Sequence, residues 1–518
     1  MLEHRARDNA ASVSKAKCSL MVLWFATMLA AGTVYVLTAH TGIQGRDGGY
    51  YALRVLQNEV VNAYGLAASH PLHYGLSEAA VWLGRGQVFP SLVVLSALAG
   101  AVAVANLFAC ARILTQSNSA AIVSAVSLFV SHTFWQMSTL VEVQTLTVAF
   151  MSAECFCVLK FARSQIPKWI VSACLLNGLA VANHLQGGLT TPLLMGIIVW
   201  MLVFDRLRLM TALWCALAWI LGSLPYSVLV LFAYLDSGDL FETLRSALVG
   251  EWGAAVLNVR SVLRPMLTTL FFTALNFPNL TLFLSAVGMA SWGRSDPSRL
   301  IRWYIGGALL IHALFAYRYN VPDQYTFLLP AGFFLALFAG VGWVNLARLF
   351  SARKSKLIQK LALASILLTP MTYLVIIEAA RKGDWLAGRV QQRPFEDSYL
   401  RILAPWSFVD RGVDRAVRAA MDHCGPGGLI MVEDHWQHHC ALGYEKIQRE
   451  WPDVQIARLD QFQSAEQLKN LQKIFRSNFF REQPIVFIPA EVGAVDFEPP
   501  IGYWRREQDL YVVKPLGR

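Results

Sequence analysis

Residues 90–113 read PSLVVLSALAGAVAVANLFACARI, 24 positions with one charge, Arg112. A membrane helix needs about 20 consecutive apolar residues, so this stretch is long enough to cross a bilayer. The pattern recurs. Residues 18–38, 119–135, 143–161, 169–182, 189–204, 210–234, 266–292, 303–316, 327–346 and 357–378 are further candidate spans. The expected fold is an α-helical polytopic membrane protein of about eleven transmembrane helices, with 169–182, 189–204 and 303–316 shorter than the usual ~17-residue minimum. Residues 18–38 follow Arg5, Arg7, Lys15 and Lys17 and outrun a signal-peptide core, so they read as a retained first helix.

Composition agrees. Of 518 residues, 55% are hydrophobic and 15% charged, against about 25% charged in soluble chains. Mean hydropathy is +0.44. These values exclude a soluble globular enzyme, a disordered chain and a coiled coil. The net charge of +10 is a matter of placement. With the N-terminus inside, the cytoplasmic ends carry 18 Lys and Arg, against 7 in the opposite loops. The positive-inside rule therefore expects N-in, and an odd number of spans puts the tail outside. Nucleic acid is not expected as a partner.

Two regions follow. Residues 1–378 form the membrane module, with a long outer segment at 39–89. Residues 379–518 are polar and read as a small α/β domain: strands at 429–432, 454–459, 485–488 and 510–513 alternate with helices at 409–423, 441–451 and 464–475. The tail holds no GxGxxG or P-loop, and the chain shows no internal repeat of the kind that builds many transporters. Six of the eight cysteines lie in or beside apolar runs; Cys424 and Cys440, in the tail, are either a disulfide or two free thiols.

Polar residues on the outer side are the candidates for chemistry. Asp47 follows the first span among Gly45, Gly48 and Gly49. Such a carboxylate serves as general base for a hydroxyl or binds a divalent cation; the plain alternative is a solvated loop-start Asp. His70, His73 and Tyr74 come later in the same segment. Glu142 is the only charge between Ala120 and Ala153, at the next outer turn. His184 sits between two short spans, where a helix–helix hydrogen bond is the commoner role. Arg318 and Asp323 share a short outer segment with three tyrosines, and Arg suits a phosphate. Arg264, with Arg260, is a second-choice phosphate ligand. His435-Trp-Gln-His438-His439-Cys440 fits no usual zinc spacing and reads as a polar loop.

Taken in order, these residues resemble the GT-C superfamily of membrane glycosyltransferases. More narrowly, the chain is similar to the bacterial family related to the transmembrane protein O-mannosyltransferases (the DUF2723 group). The elements are Asp47-Gly-Gly, His70-Pro71-Leu-His-Tyr74, Phe134-Trp135 with Glu142-Val143, Asn183-His184 and Leu224-Pro225-Tyr226. Gly49 stands where many relatives carry Glu. The resemblance implies an inverting transfer of a hexose, mannose among the candidates, from a polyprenyl-phosphate donor to an extracytoplasmic protein hydroxyl, glycan or lipid. It implies Asp47 and Glu142 as catalytic residues, with Mg or Mn between them if a metal takes part. His70, His73, Tyr74, His184, Arg264, Arg318 and Asp323 would bind substrate. A bacterial inner membrane is the expected location, or the endoplasmic reticulum in a eukaryote. The alternative is a transporter or lipid flippase, for which Glu154 and His312 are the mid-span ionisable groups.

Overall fold

The apolar runs are helices. The computed structural model describes residues 2–253, 263–293, 298–319, 321, 323–462, 464–495 and 497–514, the side chains of 2–19, 252, 264, 347, 435, 465 and 514 excepted. The membrane module contains α1 (Leu2–Leu37), α2 (Arg46–Gln57), α3 (Pro71–Leu83), α4 (Val88–Thr115), α5 (Asn118–Phe129), α6 (His132–Ser138), α7 (Gln144–Ser164), α8 (Pro167–Asn183) and α9 (Thr191–Val203). It continues with α10 (Leu209–Ser237), α11 (Leu240–Leu248), α12 (Leu263–Asn276), α13 (Thr281–Ala290), α14 (Arg299–Arg318), α15 (Leu329–Leu349), α16 (Ala352–Leu367) and α17 (Thr369–Lys382).

Among the described residues, 7 helical stretches are long and apolar enough to cross a membrane, and up to 10 if each bent pair counts as one span. The 17-residue α8 falls just below that 18-residue length. Three expected single spans are therefore bent: α5–α6 by 69°, α12–α13 by 107° and α16–α17 by 62°. The breaks have local causes. Pro278 cannot continue α12, and Pro370 sits at the start of α17. The last two breaks meet, because Asn279 Nδ2 donates to Thr369 Oγ1 at 2.7 Å. Backbone groups at the bends are partly paired within the protein, which hydrocarbon requires: the Leu280 N–H donates to Ser365 Oγ at 3.2 Å and the Thr133 N–H to Asn276 Oδ1 at 2.7 Å.

Residues 39–89, expected as a long connector, fold into α2, a single 3-10 turn and α3. Gly48 and Gly49 hide α2 from a propensity reading, since glycine is a poor helix former. In the structure they lie on its buried face.

Helices pack closely where side chains vanish. A Cβ on Gly288 of α13 would lie 2.1 Å from the Phe338 carbonyl oxygen, and one on Gly342 of α15 would lie 1.9 Å from that of Leu284. Small residues let membrane helices approach in this way.

The tail forms α18 (Ser398–Leu403), α19 (Gly412–Cys424), β1 (Leu429–Val432), α20 (His435–Gln448), β2 (Gln455–Arg458), α21 (Ala465–Phe480), β3 (Ile485–Ile488), β4 (Tyr503–Glu507) and β5 (Leu510–Lys514). The sheet order is β2-β1-β3-β5-β4. β1 runs parallel to both neighbours, with Ile430 opposite Ile456 and Val486, whereas β5 runs antiparallel to β3 and β4. The expected strands are present. β4 is the addition: its YWRRE sequence sits on an exposed edge and lacks an apolar face. Cys424 and Cys440 are both free thiols. The tail is not set apart from the bundle. Val413, Val417, Ala441 and Leu442 share one apolar core with Ile43, Tyr51, Val88 and Phe89.

Gly288→Val should overpack the α13–α15 contact and destabilise the protein by about 1–3 kcal/mol, read as a lower melting temperature in detergent. Gly196→Ala, which meets open space, should leave it unchanged.

Candidate active site

α2 begins at a tight junction. Gly45 is its N-cap, and a Cβ there would lie 2.3 Å from the Gln437 carbonyl oxygen of α20. Arg46 follows with φ 53°, an uncommon conformation for a non-glycine residue. The turn brings Arg46 and Asp47 side by side at the start of α2. Arg46 Nε donates to Gln437 Oε1 at 3.0 Å, and Arg393 Nη1 donates to the same oxygen at 3.2 Å. Arg393 also pairs with Asp434 at 3.2 Å.

The second acid is held by backbone bonds. The Val141 N–H donates to Gln44 Oε1 at 2.9 Å, and the Glu142 N–H donates to Ser96 Oγ at 3.1 Å. Asn183 Nδ2 donates to the Val143 carbonyl at 3.2 Å. Gln44 donates in turn to the His40 carbonyl at 2.7 Å, so the turns carrying Asp47 and Glu142 are braced against each other.

A cavity of about 1900 Å³ opens between the bundle and the tail. Asp47, Glu142, Asp323, His70 and His184 all line it. His70 and His184 stack with ring centroids 4.7 Å apart. Burial and the charge of Asp323 push the Asp47 pKa up to about 7, against the opposing pull of Arg46. Burial, then Asp47 and Asp323, raise Glu142 well above the usual carboxylate range. Burial also raises Asp323.

The other predicted residues lie elsewhere. His73 is buried against Tyr51, at 5.0 Å between ring centroids, and does not line the cavity. The Tyr74 hydroxyl donates to Glu78 at 2.6 Å, and its ring faces Arg54, so it braces α3. Arg318 ends α14 beside the Tyr317 ring and does not line the cavity. The Arg264 side chain and all of Arg260 lie outside the described residues.

The cations that do line the cavity are Arg46, Arg389, Arg393 and Arg401. Arg46 had a signal in the sequence, its adjacency to Asp47. The other three come from the tail and had none. Among the described residues, no group of three or more His, Cys, Asp or Glu could hold a metal ion. Asp47 and Glu142 bring two carboxylates to the cavity, and no step below is routed through a metal. The 435–440 segment is not a loop: it opens α20, capped by Asp434, which accepts from the Gln437 N–H at 3.2 Å.

Residues 70–233, about a third of the chain, match the family described as dolichyl-phosphate-mannose-protein mannosyltransferase. No curated protein matches the sequence. Among solved structures, ArnT from Cupriavidus metallidurans bound to undecaprenyl phosphate is similar with a TM-score of 0.57 at 14% identity, over 95% of this chain and 97% of that one. The apo state of the same protein gives 0.55 at 15% identity, over 96% and 98%. The solved structures establish the shared fold, and the family match covers the segment that supplies His70, Glu142 and His184. The chain thus shares the fold of ArnT, and the segment carrying those three residues is similar to the mannosyltransferase family. It is a multi-pass membrane protein.

Gly49 has a steric role. A Cβ there would lie 2.5 Å from the Gln44 carbonyl oxygen, so this backbone admits no side chain without a shift. Gly49→Ala should displace Gln44 and cut glycosyl transfer about tenfold or more, since a 1 Å misplacement near the chemistry costs up to roughly 100-fold. Gly75→Ala, in open space on α3, should be neutral in the same membrane assay.

Proposed function

We propose that the chain moves a hexose, mannose among the candidates, from a polyprenyl-phosphate donor to an extracytoplasmic hydroxyl, with Asp47 as general base. The observation that carries this reading is the placement of Asp47 next to Arg46 at the start of α2. Both open into one cavity with Glu142, Asp323, His70 and His184.

The cavity has an apolar arm, lined by Val181, Leu189, Trp219, Leu248, Leu267 and Phe271. An isoprenoid chain fits such a surface. ArnT, the solved structure of the same fold, holds undecaprenyl phosphate. In the reaction, the Asp47 carboxylate takes the proton of the acceptor hydroxyl. The acceptor oxygen bonds to the anomeric carbon from the face opposite the phosphate, and the carbon–oxygen bond to phosphate breaks. Polyprenyl phosphate leaves with the electron pair, and the anomeric configuration inverts. Arg46 lies beside Asp47 and stabilises the charge developing on the phosphate, as a preorganised cation in a water-poor site does. Glu142, whose burial favours the protonated form, donates a hydrogen bond to a sugar hydroxyl and fixes the pose. His70 and His184 line the pocket. The charge placement supports an orientation with the N-terminus in the cytoplasm and the cavity outside, and a bacterial inner membrane is the proposed location.

The transporter alternative has less support. Neither Glu154 nor His312 lines the cavity. Glu154 is fully engaged, accepting from Tyr304 at 2.7 Å, Asn177 at 3.0 Å and Thr190 at 3.0 Å.

Asp47→Asn should abolish transfer while the protein accumulates normally in the membrane. Mass spectrometry of envelope glycoproteins and glycolipids, in a deletion strain carrying each version, reads this directly. Retained glycan in the mutant would sink the reading. The pH profile supplies a second check. Below about 7 Asp47 holds a proton and cannot accept one, so the wild-type rate should rise as pH passes through that value. Asp323→Asn removes a charge that raises the Asp47 pKa, so the rising limb should move to lower pH.

A further inference from the structure

We propose that the tail domain supplies the acceptor subsite, and that the acceptor presents a saccharide hydroxyl to Asp47. This deepens the transferase reading and rests on it.

The first observation concerns which part of the tail meets the cavity. In α/β sheets, small polar ligands bind beyond the carboxyl ends of the strands. Here β1 and β3 are parallel neighbours, and their carboxyl ends lead into Asp434 and Ala490. Both residues line the cavity. The crest is rigid: Glu433 accepts from the Ala490 N–H at 2.7 Å, and the Glu433 N–H donates to the Ile488 carbonyl at 3.1 Å. The binding edge of the sheet therefore faces the catalytic acid.

The second observation concerns chemistry. Asp434, Gln437 and Arg393 present a carboxylate, a carboxamide and a guanidinium on one wall. These planar groups match the paired donors and acceptors of neighbouring sugar hydroxyls. The Gln437 Oε1 is used by the two arginines, while its Nε2 has no protein partner among the described residues. Beside this wall, Trp436 meets Tyr64 edge to face, with centroids 5.3 Å apart, and both rings line the cavity. An aromatic ring with a polar surround offers the apolar face of a pyranose a stacking surface.

The third observation argues against an extended peptide. Peptides that bind sheets add to a free edge strand. The edge strands are β2 and β4, and no residue of either lines the cavity.

The test uses the full-length protein in lipid nanodiscs. Wild type, Trp436→Ala and Trp436→Phe are probed on an oligosaccharide array and on an array of Ser/Thr peptides. Transfer from synthetic polyprenyl-phosphate hexoses is then measured to the sugars and peptides. The expected result is binding to oligosaccharides and not peptides. Trp436→Ala should weaken it about tenfold or more, and Trp436→Phe should restore most of it. The acceptor KM should rise in Trp436→Ala while the donor KM holds. Transfer to peptides alone, or saccharide binding indifferent to Trp436→Ala, would overturn the subsite and leave the transferase reading standing. Binding to neither array would also overturn the subsite. Saccharide binding that depends on Trp436, without transfer from any hexose donor to either acceptor class, would overturn the transferase reading instead.

Discussion

One carboxamide oxygen holds the site together. Gln437 Oε1 accepts from Arg46 of the membrane module and from Arg393 of the tail. Two guanidinium groups so close repel each other, and the shared acceptor with Asp434 on Arg393 offsets that repulsion. The bond explains the local backbone. Arg46 adopts a left-handed conformation to reach Gln437, and Gly45 lets the helix carrying that glutamine come within touching distance. Asp47 inherits its direction from this turn. The cations beside the acid are thus defined jointly by residues nearly four hundred positions apart in sequence.

The same economy of volume operates in the bundle. Glycines at Gly288 and Gly342 bring α13 and α15 into backbone contact, and Gly49 does so between α2 and the Gln44 turn. Each exclusion of a side chain converts to positional accuracy, because a buried backbone contact leaves little room for sliding. The acids that line the cavity rest on these close approaches and on the Gln44 and Ser96 bonds that fix the Glu142 turn.

Much of this was legible in the sequence. Apolar run lengths revealed the spans, because hydrocarbon thickness sets a length that few other constraints imitate. The acids at Asp47, Glu142 and Asp323 stood out in the outer segments between spans, and they line one cavity. The bends in three spans were not legible: local breaks at residues such as Ser131 and Pro370 do not interrupt hydropathy. The basic residues were the harder problem. Arg318 sits in the same short segment as Asp323, yet it does not line the cavity. Arg393 sits in a polar tail where arginine is ordinary, and only the docking of that tail gives it a role. Charge spacing along a chain says little about partners from another domain.

The roof of the cavity has a consequence in time. Arg393, Asp410, Asp434, Gln437 and Ala490 all follow the last bundle helix in the chain, so they are synthesised last. A ribosome-bound chain whose membrane helices are already inserted has an open chamber, with Asp47 facing water and no Gln437 to orient Arg46. The chamber closes only after the tail has folded against the bundle. The order of synthesis thus makes the bundle first and the groups that orient Arg46 afterwards.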